Sequence, residues 1–247
     1  MVAALFSAVA TPHSSDRALT VSAAVSLSEV LDEAAAAYGE RGGGPVRFNF
    51  AGSNVLARQI VNGAPVDLFI SGDQAQMAVV ERAGEVLEGS LRVVASNQLA
   101  VVASEDRVTQ VRAAFPRAGP AIRRLALGDP AAVPAGVYAK RYLERVGLWD
   151  AFESRLIPTG NVRGALAAVE NGSVDAAIVY VTDVRSARRA RVALVIPRDE
   201  APEIAYPAAV MARSPNSAAA ERFLTFLESA DGRGIFARHG FLAPPVR

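Results

Sequence analysis

The chain has 247 residues, of which 51% are hydrophobic and 21% are charged, and its formal net charge is +1. This length allows one large domain or two lobes, and the composition is typical of a globular protein rather than of a disordered or strongly polyanion-seeking one. The sequence has no cysteine, which excludes disulfides, thiol catalysis and thiolate metal sites.

An apolar run, VAALFSAVA, begins at Val2 and ends in two alanines separated by a valine. It resembles the hydrophobic core and cleavage site of a secretory signal, although no Lys or Arg precedes it. We interpret residues 1–17 as a signal remnant or a disordered N-terminus, and a signal predicts a periplasmic or other extracytoplasmic location. An apolar N-terminus without a targeting role is the alternative. No other segment approaches the roughly 18 apolar residues that a membrane span needs.

From Ala18 onward, strand-like runs alternate with helical ones. The runs LTVSAAV, VRFNF and VDLFIS are each followed by a helical pattern. This order predicts an α/β protein with a largely parallel sheet and helices on both faces. A strand-rich segment at 90–104 interrupts the order, and we predict a long strand or a hairpin-like crossing between two lobes there.

A second β-α series extends from RRLALGD to AAIVYVTD and is followed by a predicted strand pair, RVALVIP and IAYPAAVMA. Two helical runs close the chain, and they are too short to form a domain. We therefore expect them to pack on the first lobe. This assigns 18–92 and 213–247 to the first lobe and 93–212 to the second, joined by a hinge of two crossings.

The usual catalytic motifs are missing from the sequence. The two histidines, His13 and His239, are not at metal-ligand spacing, and there is no GxSxG elbow, phosphate loop or GxGxxG fingerprint. A hydrolase would have to use His239, and catalysis by carboxylates alone is the other enzymatic alternative. We expect no enzyme activity, no catalytic residue and no cofactor.

Two helix starts in the first lobe carry hydroxyls instead of charged side chains. Ser26 follows the first strand, and Glu29 lies at capping-box spacing from it. Ser53 opens the next helix, where Ser53 or Asn54 is expected to act as the N-cap. Uncapped N–H groups at such a start can also bind an anion, so both readings stay open. Gly52 and Asn54 are expected to shape the tip around Ser53.

The second lobe repeats this pattern. Pro134 opens a helix in which Ala135 exposes a backbone N–H with almost no side chain over it. Asn161 is the predicted N-cap of a helix whose first residue is Val162. Tyr180 ends a strand, so its hydroxyl is expected at the carboxyl edge of the sheet, where α/β proteins bind ligands.

Together these positions predict a pocket lined by hydrogen-bond donors and free of charged side chains. Such a pocket suits an anion that carries no proton, with its charge balanced by helix N-termini. Arg58 and Arg163 lie inside their helices rather than at the tips, so we expect solvent or salt-bridge roles for both.

Several segments, AAVSLSEVLDE, NFAGSNVLARQIVNGAPVDLFISGDQ, GDPAAVPAGVYAKRYLERVGLWD, VRGALAAVENGSVDAAIVYVTD, YPAAV and FARHGF, resemble in order and spacing the periplasmic molybdate-binding proteins of bacterial molybdate ABC transporters. The resemblance covers about residues 19–241. It implies a type II periplasmic binding protein fold that closes on a tetrahedral oxyanion. The family's two serines, two backbone amides and one tyrosine hydroxyl fall on Ser26, Ser53, Ala135, Val162 and Tyr180.

The implied function is binding of molybdate, and of tungstate, for delivery to a membrane permease. Molybdenum would be held as molybdate, without direct metal ligands, by a monomeric protein that binds no nucleic acid. A receptor for sulfate, thiosulfate or another small oxyanion is one alternative. The ligand-sensing domain of a transcription regulator is another, although only about 17 residues precede the first strand.

Overall fold

The computed structural model describes residues 17–245, which form two five-stranded sheets with helices packed on them. The signal-like run and His13 lie outside the described residues. The strands are β1 (Leu19–Ala24), β2 (Val46–Ala51), β3 (Leu68–Ile70), β4 (Arg92–Ala95), β5 (Leu99–Ser104), β6 (Leu125–Gly128), β7 (Leu156–Thr159), β8 (Ala176–Tyr180), β9 (Ala190–Val195) and β10 (Tyr206–Val210). The helices are α1 (Ser28–Glu40), α2 (Ser53–Val61), α3 (Gln74–Arg82), α4 (Val108–Ala114), α5 (Pro134–Arg145), α6 (Trp149–Glu153), α7 (Val162–Glu170), α8 (Ser217–Glu228) and α9 (Ala230–Arg238).

Each sheet is mixed rather than wholly parallel. The first has the order β2-β1-β3-β10-β4, in which β1 is parallel to β2 and β3 and β10 is antiparallel to β3 and β4. The second has the order β7-β6-β8-β5-β9, with β6 parallel to β7 and β8 and β5 antiparallel to β8 and β9. The β-α-β segments therefore follow the predicted parallel order. The antiparallel strands β5 and β10 are those that arrive from the other sheet without a crossover helix.

The chain passes between the sheets twice. β4 and β5 lie in different sheets although only residues 96–98 separate them, which confirms a crossing within 90–104. The predicted pairing of RVALVIP with IAYPAAVMA is wrong, because β9 lies in the second sheet and β10 in the first. Strand-like apolar patterns do not reveal which sheet a strand joins.

Sheet membership also differs from the lobe limits that the sequence suggested. The predicted second lobe, 93–212, includes most of β4 and all of β10, and both strands belong to the first sheet. We propose that the lobes follow the sheets, with lobe I comprising 17–95 and 206–245, lobe II comprising 99–195, and crossings at 96–98 and 196–205. The closing helices pack on lobe I as expected, since the ring of Phe223 in α8 lies 5.2 Å from that of Tyr38 in α1.

Burial follows the position of each strand in its sheet. The central strands β3, β8 and β10 are buried at every residue, whereas the edge strand β2 alternates between half-buried and exposed positions along most of its length. Helices thus cover both faces of each sheet centre, which is the arrangement that parallel β-α units favour. Within residues 17–245, no helix is long and apolar enough to span a bilayer.

Asp175, which directly precedes β8, holds the backbone just before β6 in place. Its carboxylate accepts hydrogen bonds from the backbone N–H groups of Arg123 (2.8 Å) and Arg124 (2.9 Å) and pairs with the guanidinium of Arg107. Burial by itself would raise the pKa of Asp175, but the hydrogen bonds from Arg107 and the two N–H groups outweigh burial and hold this pKa below its usual value.

We expect Asp175→Ala to lower the free energy of unfolding by about 1.5–3 kcal/mol at pH 7, because three donors lose a charged acceptor. Since the folded-state pKa lies below the ordinary 3.8, this contribution is present above pH 3.8 and is lost as the pH falls through the folded-state value. Urea unfolding at pH 7 and at lower pH measures both effects. Glu105→Ala, which breaks an exposed pair with Arg191, is the control and should cost much less. Equal losses in the two variants would contradict this role of Asp175.

Candidate anion-binding site

A small cavity lies between the two lobes, where strands of both sheets end. Its volume is about 20 Å³, and on the same measure one water molecule needs roughly 10–15 Å³. The cavity therefore suits a small group. Its lining residues are Ala24, Val25, Ser26, Ala51, Gly52, Ser53, Gly72, Val133, Pro134, Ala135, Asn161, Val162 and Tyr180. None of these side chains is charged.

The five residues that the sequence singled out all line this cavity. Ser26 lies in a short 3-10 turn between β1 and α1, and Ser53 is the first residue of α2. Ala135 is the second residue of α5, Val162 is the first residue of α7, and Tyr180 ends β8. Two residues come from lobe I and three from lobe II, so the complete set exists only when the lobes are together.

The helix starts leave backbone N–H groups available at the cavity. Ala135 and Val162 lie in the first turns of their helices, where an N–H has no intrahelical acceptor. The predicted N-cap Asn161 is confirmed, because its Oδ1 accepts a hydrogen bond of 2.9 Å from the N–H of Gly164. This cap gives an acceptor to the N–H of Gly164, the third residue of α7. The N–H of Val162, the first residue, stays available for another partner.

The two serines do not act as the helix caps that the sequence suggested. The N-cap residue of α2 is Gly52, and neither Ser53 nor Asn54 caps this helix with its side chain. Ser26 precedes α1 by two residues, and the carboxylate of Glu29 accepts from Ser28 and Arg163 instead of closing a capping box. Both serine hydroxyls are therefore free of a local capping role.

The oxygens of both serines contact groups that lie far away in the sequence. Ser53 Oγ accepts a hydrogen bond of 2.9 Å from the N–H of Gly72, and Ser26 Oγ lies 3.3 Å from the hydroxyl oxygen of Tyr206. The Tyr180 hydroxyl is buried and has no hydrogen-bond partner in the described part of the chain. Burial raises the pKa of Tyr180, so its hydroxyl stays protonated and can donate.

Gly72 is a lining residue that the sequence reasoning missed. It follows β3 at the same sheet edge as the other sites, and this position was the signal that could have indicated it. A Cβ at Gly72 would lie 3.4 Å from Pro134 Cβ in lobe II and 3.4 Å from Ser53 Oγ. The absent side chain therefore leaves room between the two lobes.

Gly52 shapes the tip of α2 in a similar way. A Cβ there would lie 2.8 Å from Asn54 Oδ1 and 3.0 Å from the carbonyl oxygen of Gly160 in lobe II. A side chain at this position would force these groups apart. Gly52 thus permits the backbones of the two lobes to approach closely beside Ser53.

An ion network joins the lobes outside the cavity. Arg163 of α7 pairs with Glu29 of α1 through nitrogen–oxygen distances of 2.9 and 2.6 Å. Its Nε also lies 2.8 Å from the fully buried Asp183, although without hydrogen-bond alignment. Arg163 therefore has the expected salt-bridge role, and the salt bridge crosses from one lobe to the other. Arg58 is exposed and does not line the cavity.

The described part of the chain does not place His239 in hydrogen-bond contact with a serine, as a hydrolase that uses this histidine would require. His239 Nε2 lies 2.6 Å from a carboxylate oxygen of Glu33, and within residues 17–245 it makes no hydrogen bond to a serine. The described part of the chain also contains no cluster of three His, Asp or Glu residues placed to hold a metal ion.

The structure has two α/β lobes, two chain crossings between them and a donor-lined cavity at their interface. These features are those of the two-lobed solute-binding proteins with the type II fold. Residues 19–242 match the family described as bacterial extracellular solute-binding protein. The chain belongs to this family.

Known relatives confirm the resemblance that the sequence motifs indicated. The chain is 36% identical to the molybdate-binding protein ModA of Escherichia coli over 227 residues, which cover 90% of this chain and 88% of that protein. It is 33% identical to ModA of Haemophilus influenzae, with 91% and 90% covered. The structure of the periplasmic molybdate-binding protein of Azotobacter vinelandii shares the fold, with a TM-score of 0.81 at 22% identity over 92% of this chain and 100% of that one.

We expect Tyr180→Phe to leave the free energy of unfolding of the ligand-free protein unchanged or to raise it by about 1 kcal/mol, because the hydroxyl that it removes is buried and has no hydrogen-bond partner among residues 17–245. Tyr206→Phe is the matched control, since its hydroxyl has partners in Ser26 and Asn97 and its loss should destabilise the protein. Urea unfolding without added oxyanion compares the two variants. Similar destabilisation by both would show that the Tyr180 hydroxyl has a partner in solution.

Proposed function

We propose that this protein binds molybdate between its lobes and delivers it to the permease of a bacterial ABC transporter. The observation that carries the proposal is a cavity that neutral donors from both lobes line, without a charged side chain. Membership of the solute-binding family and the names of the relatives from E. coli and H. influenzae support it.

The proposed ligand set comprises three hydroxyls and two backbone N–H groups. The hydroxyls are those of Ser26, Ser53 and Tyr180, and the N–H groups are those of Ala135 and Val162. The starts of α2, α5 and α7 supply partial positive charge to the buried dianion. Molybdenum is held through the oxygens of its oxyanion, so no residue ligates the metal directly and no cofactor takes part.

Binding and delivery follow from the division of donors between lobes. An oxyanion that contacts both lobes stabilises the closed form, because all donors reach it only there. The Glu29–Arg163 pair adds a contact that opening must break. The permease would recognise the closed form and receive the ion when the lobes part. In this role the protein works as a periplasmic or other extracytoplasmic monomer, without catalysis and without nucleic acid.

Selectivity among oxyanions follows from the donor-only lining. The proton of hydrogen phosphate would meet an N–H donor, or a hydroxyl that must give up its own donation to accept it, and an unpaired buried donor costs about 1–3 kcal/mol. Sulfate has the right charge but shorter bonds to oxygen, so several hydrogen bonds would lengthen together in a cavity fitted to molybdate. Tungstate matches molybdate in shape and charge.

We expect molybdate and tungstate to bind with affinities within about tenfold of each other and sulfate to bind at least about 100-fold more weakly, since several weakened hydrogen bonds add up to a few kcal/mol. Isothermal titration calorimetry with the three ions and hydrogen phosphate measures this ranking. Thermal unfolding provides a second readout, because a ligand of the native state raises stability. Thiosulfate is titrated alongside them, and sulfate or thiosulfate binding as tight as molybdate would instead establish a receptor for another oxyanion.

We expect Ser53→Ala to weaken molybdate binding by about tenfold or more, because one buried oxygen of the ion loses its donor. Arg58→Ala on the same helix is the matched control, and it should change the affinity by less than about threefold, since an exposed charge contributes little. Calorimetry at one pH and ionic strength compares both with the wild type. A larger effect of Arg58→Ala would show that the ion binds elsewhere on α2.

A further inference from the structure

We propose that Tyr206 and Asn97 are positioning residues that fix the Ser26 hydroxyl as a donor toward the cavity. Neither residue lines the cavity, so both act through Ser26. The inference rests on the proposed function, because it explains how one of the proposed ligand contacts acquires its direction.

The side-chain amide of Asn97 has a single consistent orientation. Its Oδ1 accepts from the backbone N–H of Gln98 at 2.8 Å, so its Nδ2 is the donor end. Nδ2 donates to Thr182 Oγ1 at 2.8 Å and to the Tyr206 hydroxyl oxygen at 3.1 Å. Asn97, Thr182 and Tyr206 are all buried. The amide of Asn97 therefore donates a hydrogen bond to the Tyr206 hydroxyl oxygen.

This hydrogen bond determines the direction in which the Tyr206 hydroxyl donates its own proton. Its oxygen already accepts from Asn97, and within residues 17–245 the one other hydrogen-bond partner of the hydroxyl is Ser26 Oγ at 3.3 Å. If Ser26 donated to Tyr206 instead, the Tyr206 proton would be buried without an acceptor, which is unfavourable. Burial raises the pKa of Tyr206, so the hydroxyl keeps its proton.

The consequence is that Tyr206 donates to Ser26 Oγ and the proton of Ser26 is left for an oxyanion. Ser53 shows the same arrangement, because its Oγ accepts from the N–H of Gly72 at 2.9 Å. In both cases a protein donor on one side of the serine oxygen leaves the serine proton for the cavity. The distance from Tyr206 to Ser26 exceeds the 2.7–2.8 Å that is typical of O–H···O bonds, so the expected effect is moderate.

A double-mutant cycle tests the proposal with calorimetric molybdate affinities of the wild type, Ser26→Ala, Tyr206→Phe and the double variant. We expect Tyr206→Phe to weaken binding by about 5–10-fold in the wild-type background, and by less than about twofold once Ser26 is alanine. Tyr38→Phe, which removes a tyrosine hydroxyl remote from the cavity, is the control and should leave the affinity unchanged. Equal effects of Tyr206→Phe in both backgrounds, or no effect in either, would overturn the proposal.

A second measurement decides the matter without ligand and without a variant that must fold. In the ligand-free wild type, the buried Tyr206 hydroxyl proton should exchange slowly and show nuclear Overhauser effects to the β-protons of Ser26. Effects to the side chain of Thr182 alone would refute the proposed direction of donation. Failure of the wild type to bind molybdate would refute the proposed function, and the proton direction would still be determined by this spectrum.

Discussion

The first-turn backbone N–H groups of α2, α5 and α7, which have no acceptor within their helices, are the constraint on which the rest of the structure depends. Buried N–H groups need acceptors, and those in the first turn of a helix that no side chain satisfies are available to whatever occupies the space in front of the helix. Glycine, alanine and proline around these starts keep that space open, as at Gly52, Gly72 and Ala135. At Gly52 a side chain would crowd the backbone of the other lobe, since its Cβ would lie 3.0 Å from the carbonyl oxygen of Gly160.

The protein separates its charges from its cavity. Every residue that lines the cavity is neutral, whereas Arg163, Glu29 and Asp183 form an ion network beside it that joins the lobes. A buried cation in the cavity would attract any anion of suitable charge. Neutral donors with fixed directions also discriminate by proton content and size. The salt bridge between the lobes and the neutral lining of the cavity thus involve different residues.

Long-range contacts account for what sequence reasoning missed. For Ser26 and Ser53 the sequence left a capping role and an anion-binding role open, and the structure shows no capping, because their oxygens contact Tyr206 and Gly72, which lie 180 and 19 residues away. Apolar periodicity located β9 and β10, but it did not reveal that they belong to different sheets. Pairing of strands depends on the path of the chain in space, and a strand's own residues carry little information about it.

The sequence by itself determined the β-α order, the positions of the helix starts, the absence of thiol chemistry and the family motifs. It also identified Ser26, Ser53, Ala135, Val162 and Tyr180, because strand ends and small residues at helix starts are local patterns. The tertiary structure alone decided that these five residues meet at one cavity and that Arg163 bridges the lobes. It also decided that Tyr206 contacts the Ser26 oxygen and that the N–H of Gly72 donates to the Ser53 oxygen. The physical reason is that hydrogen-bond direction and interlobe contact arise from packing between segments that are remote in the chain.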